Sequence, residues 1–135
     1  MTYNEQELIF RDLSSRLPYG VHVNISNKDD KKGKDCLVTS LNKRHVNDTY
    51  SFNENTIKPY LRPLSKMTHQ ECLSLSRLLP KYISIDKGEI TVDSYKILPE
   101  HVETINDFYN RHHLDFRGLI RDNLALEATT QYYIP

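Results

Sequence analysis

The chain has no tryptophan, only four glycines, two cysteines and no net charge over 135 residues. Each scarcity excludes something. Two cysteines, Cys36 and Cys72, do not make a disulfide framework, so a reduced, cytoplasmic setting is the default. With so few glycines, and with Gly33 and Gly88 in turn signals, there is no phosphate-cradling loop. No Gly-x-Ser-x-Gly elbow occurs. No apolar run approaches the ~20 residues that span a bilayer, so no membrane partner is expected. The N-terminus lacks the basic stretch and apolar core of a signal peptide. Basic and acidic residues balance at 18 each. The first 67 residues carry 11 basic and 8 acidic side chains, the rest 7 and 10. That asymmetry is too weak to imply nucleic acid by electrostatics alone.

What is present suits one domain over residues 1–135, long enough to bury a core without staples. Mean hydropathy is −0.63, on the polar side but compatible with a globular fold. Nine tyrosines suit half-buried or interface positions. Thr2 or Asn4 caps a first helix carrying Leu8, Ile9, Phe10, Leu13 and Leu17, which Leu17-Pro18 ends. Val21, Val23 and Ile25 alternate as a strand. Ser26 to Asp35 is a charged loop, read as a solvated hairpin tip rather than a binding loop. Cys36 to Leu41 is a second strand and Asn42 to Asp48 a turn. Tyr50 to Phe52 begins a third strand, and Thr56-Ile57 belongs to a fourth. An SH3-like partial barrel fits such short strands.

The stretch from Ile57 to Thr68 is the hinge between this strand-rich half and a more helical one. Pro59 and Pro63 fix φ and remove donors, so a strand ending near Lys58 and a tight 3₁₀ or extended turn are expected. Ile57, Leu61, Leu64 and Met67 would lie on apolar surface, with Lys58, Arg62, Lys66 and Tyr60 in water. Thr68-His-Gln-Glu71 is a capping box opening a helix with Cys72, Leu75, Leu78 and Leu79. Ile83 and Ile85 then face Ile90 and Val92 across Asp86-Lys-Gly-Glu89, a hairpin. Pro99 opens a helix with Val102, Ile105, Phe108 and Tyr109 on its apolar face, closed by His112-His113. Asp115 caps one more short helix, Phe116 to Asp122, with Asn123 as a left-handed end. Leu124 to Leu126 is extended, and the tail 129–135 frays. The fold class is α+β: a small, mostly antiparallel sheet flanked by three to four helices. Leu13, Val23, Leu75, Ile105, Phe108 and Leu119 are the expected core.

Six histidines show no Cys-x₂-Cys or His-x₃-His spacing, so no metal or other cofactor is expected. His112 and His113 beside Asp115 can form a His–carboxylate pair, but a helix cap and a packed imidazole explain them as well. No catalytic residue is assigned. The candidate interaction surface is Lys58, Tyr60, Arg62, His112, His113 and Arg117, where the proline turn and the end of the Pro99 helix each set cationic or imidazole groups beside aromatic ones. The alternative is two separate corners, with Arg117 paired to a local carboxylate such as Asp115.

The segments IKPYLRPLSKMTHQE, DFYNRHHLDFRGLIRDNLALEA and LPYGVHVNI together resemble a group of short proteins of Bacteroides-type gut bacteria and their phages and mobile elements. That group shows KPYLRP, a Ser-x-Met-Thr helix start and an HHFDYRGLI-like segment. Here Leu114 and Phe116 replace a Phe and a Tyr, and Asn123 stands where Gly is expected. The resemblance implies a phage or mobile-element setting and no activity. The expected function is a non-catalytic module with a protein partner; the alternative is a nucleic-acid-binding accessory protein.

Overall fold

The computed structural model describes residues 2–39 and 55–128. The expected turn at Asn42–Asp48, the strand at Tyr50–Phe52 and the tail 129–135 lie outside them. The architecture is α+β, with a mixed five-stranded sheet, a separate two-stranded antiparallel ribbon and three α-helices among the described residues. None of these helices is long and apolar enough to cross a membrane.

Helix α1, Tyr3–Arg16, starts on a capping box. The Glu5 amide donates to the Thr2 hydroxyl at 3.2 Å, and Glu5 Oε1 accepts from the Thr2 amide at 2.9 Å. A 3₁₀ turn through Pro18 ends the helix, and Gly20 at φ +70° turns the chain into the sheet. Strand β1, Val21–Asn27, pairs antiparallel with β2, Lys34–Val38, and with β3, Asn55–Pro63. The second strand thus begins earlier than Cys36, and residues 40 and 41 of the expected Cys36–Leu41 lie outside the described residues. The loop between β1 and β2 is tied by its own side chains. Asn27 Oδ1 accepts from the Asp29 and Asp30 amides, and Asp30 Oδ1 from the Gly33 amide.

Strand β3 does not stop at Lys58. It runs through Pro59 to Pro63 before the 3₁₀ turn Leu64–Lys66. The prolines are tolerated because of where they fall. Pro59 stands opposite Val23, the last of the β1 pairs along β3. Beyond it β3 pairs at Tyr60 and Leu61 with β7, Leu126–Glu127, and at Arg62 and Pro63 with β6, Leu114–Asp115. A missing donor costs least at such a change of partner. Both late pairings are short and parallel, so the sheet is mixed, while the longer β1–β2 and β1–β3 pairings keep it mostly antiparallel. The described strands form an open order, β2-β1-β3-β6, with β7 also on β3, and no closed barrel.

Helix α2, His69–Arg77, follows the Thr68 capping box. Strands β4, Ile83–Asp86, and β5, Glu89–Val92, form the hairpin in the expected register, Ile83 opposite Val92 and Ile85 opposite Ile90. Its turn residues Lys87 and Gly88 have φ of 49° and 88°, as a primed hairpin turn demands. Helix α3, Pro99–Arg111, ends at His112, and His113 at φ 56° reverses the chain into β6. The segment after Asp115 is a series of turns, not a helix. Asp115 still acts as a cap, its two carboxylate oxygens accepting from the Leu119 and Ile120 amides at 2.9 Å each. Asn123 is left-handed at φ 61°.

Two apolar clusters result. The first gathers Ile9, Leu13, Val21, Val23, Ile57, Leu61 and Leu119 from α1, the sheet and the late turns. The second gathers Met67, Leu75, Ile83, Ile105, Phe108 and Leu114 from the end of the 3₁₀ turn, α2, the ribbon, α3 and β6. All six expected core residues are buried. Val102, expected on the apolar face of α3, and Leu78 are instead exposed.

Candidate functional site: a polar seam and an open cleft

Most of the buried polar and charged groups lie where the two clusters meet. Asp12, Arg16, Arg62, Glu71, Asn110, His113 and Asp115 are all buried, and each is contributed by an element that borders or crosses between clusters. Burying charge is costly unless it is paired and hydrogen-bonded. The pairing here is extensive.

On the side of α2, Arg62 grips Glu71 with two parallel bonds, Nη1 to Oε2 at 2.8 Å and Nη2 to Oε1 at 2.7 Å. Arg62 Nη1 also donates to the His112 carbonyl at 3.1 Å. Glu71 Oε1 accepts in addition from the Thr68 amide at 2.9 Å, the capping-box bond. His112 Nδ1 sits 3.2 Å from Glu71 Oε2. Burial disfavours the Glu71 carboxylate, but the Arg62 hydrogen bonds, the Thr68 amide and the nearby positive charge outweigh it and hold the pKa down to about 2. Glu71 is therefore a fixed anion and not a proton shuttle. His112 stacks on Phe108, ring centroids 4.2 Å apart. Burial lowers its pKa; Glu71 opposes the shift, while Arg62 and Arg111 reinforce it.

On the side of α1, Arg16 is fully enclosed. Its Nε and Nη2 bind the two oxygens of Asp12 at 3.1 and 3.0 Å, and Nη2 also donates to the Leu114 carbonyl at 2.8 Å. Arg117 shares the same carboxylate, Nη1 to Asp12 Oδ1 at 2.6 Å, and lies over the Phe116 ring at 4.2 Å. Between the two networks stands His113. Burial first, then the positive charges of Arg16, His112, His22 and Arg62, push its pKa down to about 3. It is a neutral imidazole across the physiological range.

The two segments that carry the candidate interaction surface are adjacent, since Arg62 and Leu114 are strand partners and the Arg62 amide donates to the His113 carbonyl at 2.8 Å. Arg62 and His113 are buried, so Arg62 does not stand in water as expected. Arg117 pairs with Asp12 and not with Asp115, whose oxygens serve the Leu119 and Ile120 amides. Lys58 Nζ bonds Asn123 Oδ1 at 3.1 Å, and the Tyr60 hydroxyl bonds Asp35 Oδ1 at 2.8 Å. His112 is half-buried.

Sequence reasoning misses Asp12, Arg16 and Glu71 as members of this network. A signal exists for the first two: Ile9, Asp12, Leu13 and Arg16 follow the spacing of a core stripe, so a carboxylate and a guanidinium four apart stand at positions reserved for apolar groups. Glu71 is legible only as a cap.

His112 and Glu71 make an oriented imidazole–carboxylate pair. Among the described residues no hydroxyl or thiol is hydrogen-bonded to His112. No group of three His, Cys, Asp or Glu among these residues could hold a metal ion.

A second feature faces outward. A cleft of about 190 Å³ opens between the end of α2 and the outer face of α3, lined by Leu78, Thr104, Asp107, Phe108 and Arg111. Leu78 is 63 % exposed there. Comparison with family models, with curated proteins and with solved structures finds no match to this chain.

Proposed function

We propose that the chain is a non-catalytic protein-interaction module of the phage or mobile-element kind its sequence motifs resemble, and that it binds its partner through the helical half. One observation carries this: an exposed leucine, Leu78, lines a cleft together with Phe108. Single exposed apolar residues are ordinary on a protein surface. An exposed one that shapes a cavity is the kind of feature binding surfaces use.

The nucleic-acid alternative draws less support. It needs cations converging on one open face with an aromatic between them. Arg62 and Arg117 are committed to Glu71 and Asp12, and Lys58 is bonded to Asn123.

The test is affinity capture of the partner from the source organism, with proteins and nucleic acids both identified. Wild type, Leu78→Glu and Lys58→Glu would be compared. Capture of a defined protein that survives Lys58→Glu and fails with Leu78→Glu supports the reading. Capture of nucleic acid that Lys58→Glu abolishes contradicts it.

A further inference from the structure

The cleft beside Leu78 carries information about what fills it. Leu78 and Phe108 supply its apolar lining, beside Thr104, Asp107 and Arg111, and its volume is about 190 Å³. A dry apolar cavity of about 150 Å³ is already enough for a benzene ring. A space of that size suits one aromatic or large aliphatic side chain.

The cleft lining carries one anion and one cation, Asp107 and Arg111, but the exposed charges running from Asp107 towards the start of α3 are all acidic. Glu100, Glu103 and Asp107 are exposed and follow one another at spacings of three and four along α3, so they share a face. Asp107 is the member of this row that lines the cleft. Neither Glu103 nor Asp107 takes part in an ion pair among the described residues. Arg111, four residues after Asp107, is the neighbour that could neutralise it. Its guanidinium instead lies over the Tyr19 ring at 5.5 Å. Glu100 sits in the first turn of α3, where the helix dipole favours a carboxylate. Asp107 lies well beyond that turn and gains nothing from it. Among the described residues Asp107 thus has no ion-pair partner at the rim of the cleft, with Glu103 and Glu100 in line behind it.

From this we infer that the cleft takes a partner segment with one large apolar anchor and a cationic side chain about a turn away. The anchor fills the space between Leu78 and Phe108, and the Lys or Arg lies along the row Asp107, Glu103, Glu100. The apolar anchor supplies affinity, and the rim charge supplies orientation and salt dependence. This rests on the reading that the chain is a protein-binding module.

The probe is a set of short, labelled, amphipathic helical peptides. They share one central residue, Phe or Ala, and carry either Lys or Glu one turn to each side. Binding to the full chain is followed by fluorescence anisotropy, and the site is located by amide shifts. The Phe/Lys peptide should bind, with shifts centred on Leu78 and Thr104–Arg111. The Ala/Lys peptide should bind about 30-fold more weakly, the loss of one hot-spot side chain. The Phe/Glu peptide should also be weaker, and Asp107→Lys should reverse the preference between Lys and Glu. Both Asp107→Lys and Leu78→Glu alter exposed side chains, and thermal melts establish that the variants fold. Failure of every peptide to bind, equal binding of the Lys and Glu peptides, or binding unaffected by Leu78→Glu each overturns the inference. If the peptides fail while capture of the natural partner still requires Leu78, the interaction reading survives and the anchor-and-cation chemistry does not. If capture is also indifferent to Leu78, both fall.

Discussion

Arg117 reaches Asp12 across 105 positions of the chain, Nη1 to Oδ1 at 2.6 Å, onto a carboxylate that already holds Arg16 with two bonds. One anion thus fixes α1, the start of the late turns and, through Arg16 and the Leu114 carbonyl, strand β6. Removing it leaves a guanidinium that is wholly enclosed. Asp12→Ala should cost about 3–5 kcal/mol, the penalty for orphaning a buried charge. Arg117→Ala should cost much less, because Asp12 keeps the two-pronged bond from Arg16 and no buried charge is orphaned. Urea unfolding of the two variants checks the order.

Acid should weaken the fold in two overlapping windows. His113 has a folded pKa of about 3 against an ordinary value of 6.5. Below 6.5 the unfolded chain takes up a proton that the folded chain refuses, so stability falls as pH drops from 6.5 towards 3. Glu71 has a folded pKa of about 2 against 4.5. Its contribution is present above 4.5 and is lost as pH falls through about 2. Both act in the same direction, at about 1.4 kcal/mol per unit of pKa difference as an upper bound. The variant His113→Asn keeps a residue that tolerates the left-handed φ of this position and removes the titration. Its loss of stability between pH 7 and pH 4.5 should be smaller than that of wild type in parallel denaturant titrations.

At the ribbon, Gly88→Ala should destabilise by roughly 1–2 kcal/mol from the left-handed backbone alone. More is expected because the new Cβ would lie 2.8 Å from Leu64 Cβ. Lys87→Asn, by contrast, places a residue suited to φ 49° and should be neutral or stabilising. Thermal melts distinguish the two.

The parts of this structure that are legible in the sequence are those governed by neighbours in the chain. The Thr68–Glu71 box, the Asp86–Glu89 hairpin, the left-handed Asn123 and the burial of Phe108 each follow from residues within a turn or two. The course of β3 is not legible, because Pro59 and Pro63 are local breakers and only the change of strand partner after Pro59 and the strand's end at Pro63 show why they are harmless. The seam is legible least. Arg62, His112, His113 and Arg117 draw notice as charged and aromatic groups at element ends, and the structure does bring their segments side by side. Whether a guanidinium at such a place faces water or a buried carboxylate depends on partners far along the chain, as Asp12 is from Arg117. The exposure of Val102 and Leu78 has the same origin: helical spacing defines an apolar face, but the width of the surface it meets is set by other elements.

The measurement that most directly tests the central claim, that the cationic residues of the two motif segments hold the fold together from within, is a double-mutant cycle on Arg62 and Glu71 by urea denaturation. Arg62→Met and Glu71→Met should each cost about 3–5 kcal/mol. The double variant should cost clearly less than the two together, with a coupling of about 1 kcal/mol or more. Additive costs near zero, with the melting temperature unchanged in all three variants, would mean that Arg62 is a surface cation after all.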